Sequence, residues 1–217
     1  MNTTMKQLSA AALLAVSLGC ATNGMTAMAD MDHRHGMMSS DLRTGLNSLF
    51  REHVFLAAAA TGAALSGRDA EFKAAASSLD GNSIDISKAI GSVYGAGAEE
   101  AFLPLWRKHI GFVVDYTVGV ATKDKAKMDK AVADLVQYTE DFGAFLSSAN
   151  PNLTKEAVAN LVKDHVLTLK DVIDAQATGD PIKAYTAIRT AAGHMGMIAD
   201  PLAAAIAKQF PERFAQR

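Results

Sequence analysis

Three of the six histidines recur at one interval along the chain. His53, His109 and His165 follow one another at steps of 56 residues, and each ends a charged triplet. In each case apolar residues precede the histidine by seven, four and three positions, which is the spacing of one helical face. Neutral imidazole is a ligand for zinc, copper, nickel and iron. The spacing therefore predicts three inward-facing imidazoles that can bind a transition metal.

A second polar series repeats at the same interval. Asn82, Tyr138 and His194 are also 56 residues apart. The turn of each hairpin falls midway between a member of the first series and its partner in this one, so we expect the two series at similar height. One helical turn further along come Asp85, Asp141 and Met197. The predicted metal ligands are His53, His109, His165, His194 and Met197, with Tyr138, Asp85, Asp141 and Asn82 as supporting or alternative ligands.

Hydrogen bonding is the alternative explanation of this polar layer. Hairpins copied from one ancestor inherit a histidine whether or not it binds anything, and a single buried histidine is more often a structural donor than a ligand. Burying such groups without partners costs on the order of 1–3 kcal/mol each. The layer should therefore be satisfied either internally or by a bound ion.

Methionine placement bears on the identity of the metal. Thioether ligands select Cu(I), so Met197 three residues after His194 favours copper as the cofactor. A second group near the N-terminus offers an accessory metal site at His33, His35, Met37 and Met38. Zinc and iron are the alternatives, iron because Tyr138 and the carboxylates are hard ligands.

Helices must position these residues. Abundant alanine, few aromatic residues (6%) and helical periodicity predict an all-α fold. Glycine and proline loops separate six helices, which pair into three pseudo-repeated hairpins with a 56-residue period and form a six-helix bundle. The sequence leaves open whether the hairpins close into a threefold bundle or form a linear stack. The predicted helices cover about 41–66, 69–93, 98–121, 124–148, 154–177 and 181–208.

The N-terminus predicts export. Residues 1–29 have a basic start, a short apolar run and a small-residue cleavage pattern, as in a signal peptide. A flexible segment, 30–40, would precede a single helical domain, 41–217, made of hairpins at about 41–96, 97–152 and 153–208. We expect a periplasmic or secreted protein, which keeps no thiol because the one cysteine leaves with the signal. Anchoring as a lipoprotein at Cys20 is the alternative.

Several function classes find no support in the sequence. The net charge is −2 and no basic face is predicted, so we expect no nucleic-acid partner. Hydrolase motifs of the Gly-x-Ser-x-Gly and His-Glu-x-x-His types do not occur. The expected partner is a metal ion, an envelope protein stays open as a second partner, and the oligomeric state is not predicted.

Three segments carry a resemblance to a protein family: Leu105-Trp106-Arg107-Lys108-His109-Ile110, Ala144 to Pro151, and His194-Met195-Gly196-Met197-Ile198-Ala199-Asp200-Pro201. Over most of residues 41–214 the chain resembles an uncharacterised family of exported bacterial helical-repeat proteins. Some members occur beside copper-amine-oxidase-type N-terminal domains. The resemblance implies export and a helical fold, and it brings no activity or ligand set.

Three functions compete at this stage. The first is an exported copper-binding protein that buffers or transfers copper in the cell envelope without catalysis. The second is a metal oxidoreductase whose histidines hold one ion with an open position, and it requires a cavity beside the layer. The third is a non-catalytic structural or partner-binding helical repeat, whose folding is indifferent to metal.

Overall fold

Six helices account for nearly all of the described chain. The structure, a computed structural model, describes residues 38–214, and in this range it contains six helices and no β-strand. The prediction of an all-α fold with six helices is confirmed, and the predicted ends agree with the observed ones to within about two residues. The helices are α1 (Ser39–Leu65), α2 (Asp69–Tyr94), α3 (Ala96–Thr122), α4 (Lys125–Ala149), α5 (Lys155–Ala177) and α6 (Pro181–Gln209).

Local chemistry explains where the helices begin and end. Asp124, Thr154 and Asp180 precede α4, α5 and α6, and each side chain accepts a hydrogen bond from a backbone N–H in the first turn. Such caps satisfy donors that have no partner inside the helix. In the turns of the first and third hairpins, Gly67 and Gly179 have φ values of +66° and +69°, which glycine adopts without steric cost.

The hairpins close into a ring. Each helix packs against the next along the chain, and α6 returns to pack against α1. The three first helices, α1, α3 and α5, also contact one another, so they surround the centre while α2, α4 and α6 lie outside them. This is the closed threefold arrangement, and a linear stack is excluded because its first and last helices would not meet.

The core follows the 56-residue period around this centre. Leu46, Phe102 and Val158 are equivalent by the period and all are buried, as are Phe50, Trp106 and Val162. The outer helices add buried residues at their own equivalent positions, including Leu79, Leu135 and Ala191. One continuous core therefore lies along the pseudo-threefold axis, and no hairpin could bury its apolar face alone.

Two equivalent junctions show how close successive hairpins come. The Ser87 hydroxyl on α2 donates a hydrogen bond to the carbonyl of Glu99 on α3, at 3.0 Å. At the next junction the period replaces this pair by Gly143 on α4 and Lys155 on α5. A Cβ atom at Gly143 would lie 2.5 Å from the Lys155 carbonyl oxygen. Glycine is thus required here because backbone occupies the space of a side chain.

Most of the predictions for the N-terminus concern residues that the structure does not describe. The predicted signal peptide, Cys20, His33, His35 and Met37 lie outside the described residues. Met38 immediately precedes α1, where its backbone N–H donates to the Asp41 carboxylate at 3.2 Å. Among the helices of 38–214, none combines the length and the apolar character that a bilayer span requires.

The close junction at Gly143 predicts a sharp difference between two glycine substitutions. Gly143→Ala should lower the free energy of unfolding by about 1–3 kcal/mol, because the new methyl group overlaps backbone that cannot move freely. Gly111→Ala is the matched control, since nothing lies within 4 Å of a Cβ there, and it should stabilise α3 by about 0.5–1 kcal/mol. Urea unfolding measures both, and equal effects would contradict the close packing.

Candidate metal centre

The three histidines of the first series meet at the centre of the bundle. His53 on α1, His109 on α3 and His165 on α5 each offer one ring nitrogen, and these three atoms lie within 4.8 Å of one another. Their exposed fractions are 1%, 3% and 4%. The 56-residue period and the closed ring together place them on one level, because each comes from the same position of an inner helix. The cluster can hold a metal ion.

Helical spacing explains why these side chains point to the axis. On α1 the buried residues Leu46, Phe50, His53 and Ala57 follow one another at intervals of three or four. This is the period of one helical face, so His53 shares the direction of the apolar residues around it. The same argument holds for His109 and His165 on their helices. Each imidazole is therefore fixed by the packing of the stripe to which it belongs.

Two of the imidazoles lie at the separation of ligands to one ion. The Nε2 atoms of His53 and His109 are 3.4 Å apart. Two nitrogens that each lie about 2.0–2.1 Å from a tetrahedral ion are about 3.4 Å apart. The longest nitrogen–nitrogen distance in the cluster would need to shorten by no more than about 1.4 Å to reach this value. Side-chain rotation of that size leaves the helices in place.

Two polar groups act on the rings of His53 and His109. The Asn82 amide beside His53 and the Trp106 carbonyl beside His109 each act to raise the pKa of the ring, against the larger effect of burial. Among residues 38–214 neither Nδ1 atom has a hydrogen-bond partner. In metal sites an acceptor beside the nitrogen that does not bind the ion commonly orients the histidine.

His165 has an unmet requirement. Both of its ring nitrogens are buried, and neither has a hydrogen-bond partner among residues 38–214. A neutral imidazole always carries one N–H donor and one acceptor, so both nitrogens require a partner that this part of the chain does not supply. A buried group without a partner costs about 1–3 kcal/mol. An ion at the axis would satisfy one of the two nitrogens directly.

Burial keeps the cluster neutral. It lowers the pKa of His109 to about 3, with a further contribution from His165, and it lowers the pKa of His165 to about 4, with a contribution from His194. The pKa of His53 is also well below its ordinary value, through burial and through His109 and His165. Protons therefore compete with a metal for these nitrogens only in distinctly acidic solution.

Aromatic rings enclose the cluster on one side. The Trp106 ring meets His53 and His109 edge to face, with centroids 5.0 Å and 4.8 Å away. Tyr138 packs against His109 with a centroid separation of 5.1 Å, and burial raises the pKa of its phenol. Trp106 is the one tryptophan of the chain. Its fluorescence therefore reports directly on the histidine cluster.

Two cavities adjoin the histidines. A small one of about 40 Å³ is lined by His109, His165, Tyr138 and Met195. A larger one of about 260 Å³ lies towards the turns of the hairpins and is lined by His53 and His109. The cluster thus has free space beside it, and the larger space adjoins the closely spaced His53–His109 pair.

His194 lies beside the cluster but has a different partner. Its Nε2 atom is 3.0 Å from the carbonyl oxygen of Leu161. Asn82, the equivalent residue of the first hairpin, donates from its amide to the equivalent carbonyl of Leu49, also at 3.0 Å, and to Glu52. Asn82 and His194, two of the three members of the second polar series, therefore bind carbonyl groups of the adjacent inner helix. The four predicted histidines divide into three at the axis and one at an outer helix.

Three further predicted residues are not brought to the axis. The Met197 side chain is 59% exposed. Asp85 is exposed beside Lys88, and Asp141 is half-exposed beside Lys108. The outer helices direct these positions away from the centre, so the charged side chains pair at the surface. Tyr138 and Asn82 are buried as predicted, and they contact the cluster through the ring of His109 and the amide beside His53.

Sequence reasoning missed Met195. This residue is 1% exposed and lines the same small cavity as His109 and His165. Its neighbours at intervals of three and four, Ala191, Ala199 and Leu202, are also buried. That apolar stripe was the available signal, because it marks the inner face of α6, whereas Met197 follows the face of His194.

Comparison of the chain with family models, with curated proteins and with solved structures finds no match. The function is therefore argued from the geometry of the cluster.

The low pKa values of the cluster predict that acid destabilises the metal-free protein. In the unfolded chain histidines bind protons below an ordinary pKa of 6.5, whereas folded His109 and His165 stay neutral to about pH 3 and 4. The unfolded state then binds more protons, so the free energy of unfolding should fall as the pH drops from 6.5 towards 4, by about 1 kcal/mol per unit or more. Urea unfolding in chelator at several pH values tests this, and a flat profile would contradict it.

Removal of His165 should stabilise the metal-free protein and prevent metal binding. His165→Leu eliminates two buried nitrogens without partners while filling a similar volume, so we expect a gain of about 1–3 kcal/mol in the free energy of unfolding in chelator. His194→Gln is the control, because an amide can still donate to the Leu161 carbonyl, and its metal content should equal that of the wild type. A destabilised His165→Leu protein that keeps its metal would overturn this account.

Proposed function

We propose that this chain binds one transition-metal ion through His53, His109 and His165, and that it buffers or transfers copper in the cell envelope after export. The observation that carries the proposal is the meeting of three buried, neutral imidazoles whose nitrogens largely lack partners. Internal hydrogen bonding accounts for one pair of nitrogens at most. A bound ion accounts for all three rings at once.

The electrostatics of the cluster support a monovalent ion. The three ligands are neutral, and the predicted carboxylates Asp85 and Asp141 lie at the surface. Neutral ligands leave the charge of a buried ion uncompensated, which favours Cu(I) over a divalent ion, although three neutral histidines also hold Zn²⁺ in catalytic sites. Three imidazole nitrogens are a suitable donor set for copper. Iron is disfavoured because the carboxylates lie at the surface and the buried Tyr138 phenol holds its proton, since burial raises its pKa, and zinc is the remaining competitor.

Cellular location enters the proposal through the sequence. The signal-peptide pattern of residues 1–29 supports export, and the chain after it contains no cysteine. A copper site built of histidine needs no reduced thiol, so it suits an oxidising compartment. The His33, His35, Met37 and Met38 group would add an accessory site for copper.

A second candidate is a metal oxidoreductase with the same three ligands. The observation in its favour is the cavity of about 260 Å³ next to His53 and His109, since catalysis requires room for a substrate at the ion. Tyr138 would be the proton donor or acceptor of such an enzyme, because it is buried and packs against the His109 ring. The phenol holds its proton firmly, because burial raises its pKa.

Metal analysis of the exported protein tests the proposal. Protein purified after supplementation with copper, zinc or iron should retain about one copper per chain, melt at a higher temperature than stripped protein, and show quenched Trp106 fluorescence. His109→Ala should lose all three effects, because the two remaining rings cannot complete the site. Met197→Leu and Asp85→Asn are matched controls and should behave as wild type.

Three other results would change the conclusion. Retention of zinc in place of copper would overturn the assignment of the metal. Retention of copper by His109→Ala would place the ion elsewhere. Absence of any metal, with identical melting of loaded and stripped samples, would leave a structural helical repeat that acts through protein partners.

A further inference from the structure

The larger cavity has the properties of a ligand-binding chamber. It lies between α1, α2 and α3 and has a volume of about 260 Å³. A buried apolar cavity of about 150 Å³ is sufficient to bind benzene. The chamber therefore has room for a ring of that size and a substituent.

Most of the chamber wall is aliphatic. Ala57, Ala60, Leu79 and Val113 contribute methyl groups, and Phe72 lies towards the outer end. Such a surface favours an apolar ligand and cannot solvate a charge. Small residues on α1 keep the space open, since alanine stands at 57, 60 and 64 where longer side chains would fill it.

The few polar atoms of the wall define what the ligand must offer. The Thr61 hydroxyl donates to the Gln176 side chain and the Thr117 hydroxyl donates to the Val113 carbonyl, each at 2.8 Å. Both hydroxyl protons are thus in use, and the oxygens present only acceptor lone pairs. The inner end is formed by His53 and His109, where the proposed metal ion would bind. The two threonines lie eight residues further along their helices than the histidines, about 12 Å by helix rise, so a hydroxyl group at the inner end would offer its oxygen to the metal ion and would not reach them.

A charged residue at the outer end further limits the class of ligand that can enter. Asp69, an exposed acidic residue at the start of α2, lines the chamber there. Its carboxylate repels anions and attracts cations only as far as the exposed end, because the aliphatic wall further in disfavours burial of either charge.

From these features we infer that the chamber binds a small, neutral, largely apolar alcohol or phenol, with the hydroxyl group at the His53–His109 end. The inference rests on the proposed function, because the hydroxyl oxygen faces the metal ion when one is bound. The apolar part would fill the aliphatic region between the histidines and Phe72. A ligand of this size would then lie directly beside the proposed metal ion.

Four probes that share one ring test the chemistry of the chamber. Phenol, benzene, benzoate and benzylamine are titrated into the full-length mature protein, metal-free and copper-loaded, by calorimetry and thermal shift. Phenol should bind most tightly and benzene at least tenfold more weakly, because it lacks the hydroxyl group. Benzoate and benzylamine should not bind, because each would bury a charge.

Variants locate the binding. Ala60→Leu places three more carbons inside the chamber and should reduce phenol affinity at least tenfold while the copper content stays at the wild-type value. Ala133→Leu, on the exposed surface of α4, is the matched control and should bind phenol as wild type does. If Ala60→Leu does not fold, Ala64→Leu at the edge of the chamber replaces it.

The outcomes separate this inference from the proposed function. Wild-type protein that holds copper but binds no phenol, or an Ala60→Leu protein that binds phenol normally, overturns the chamber and leaves the metal site intact. Protein that binds no copper fails the proposed function, and its phenol titration then decides whether the chamber acts without an ion. Tighter binding of benzoate or benzylamine than of phenol overturns the assignment of a neutral ligand.

Discussion

Burial of three imidazoles on one axis is the constraint on which the rest of the molecule depends. Each ring has given up water, and the inner helices offer few replacement partners. Charging any of the rings would add repulsion to desolvation, so the pKa values fall and the cluster stays neutral. A neutral cluster with lone pairs near the axis is a poor structural core but a good receptor for a cation. The free-energy cost of burying the three rings is offset if an ion binds to them.

The threefold repeat makes this convergence possible. A single hairpin can present one histidine, and the closed ring brings three equivalent positions to one level. The equivalence is not complete, and the differences shape the surroundings of the histidines. Trp106 replaces Phe50 and Val162 at one position and forms an aromatic wall, while small residues on α1 leave the chamber open. The three hairpins are therefore equivalent in their arrangement but differ in the side chains that surround the histidines.

Much of this arrangement could be predicted from the sequence, and the limits have physical causes. Helix ends were predictable because caps, glycines and prolines act locally. The inward direction of His53, His109 and His165 was predictable because it depends on the periodicity of one helix. Closure of the ring was not, since it depends on contacts between α1 and α6 that have no local signature.

The same limit explains the residues that did not join the site. His194 and Met197 were placed by height along the hairpin, which is correct for one pair of helices. The distance of these residues from the axis was not predicted, because it depends on how each outer helix packs against an inner helix. His194 therefore meets the Leu161 carbonyl, and Met197 reaches solvent. The apolar stripe that contains Met195 marks the inner face of α6 and would have corrected this assignment.

X-ray absorption spectroscopy of the copper-loaded protein identifies the atoms that bind the ion. We expect about three nitrogen scatterers of imidazole type at about 2.0 Å and no sulfur ligand. The His109→Ala protein should retain no copper and give no such signal. A strong sulfur contribution at about 2.3 Å, or a spectrum of oxygen ligands that His109→Ala leaves unchanged, would contradict this expectation and place the metal outside the centre of the bundle.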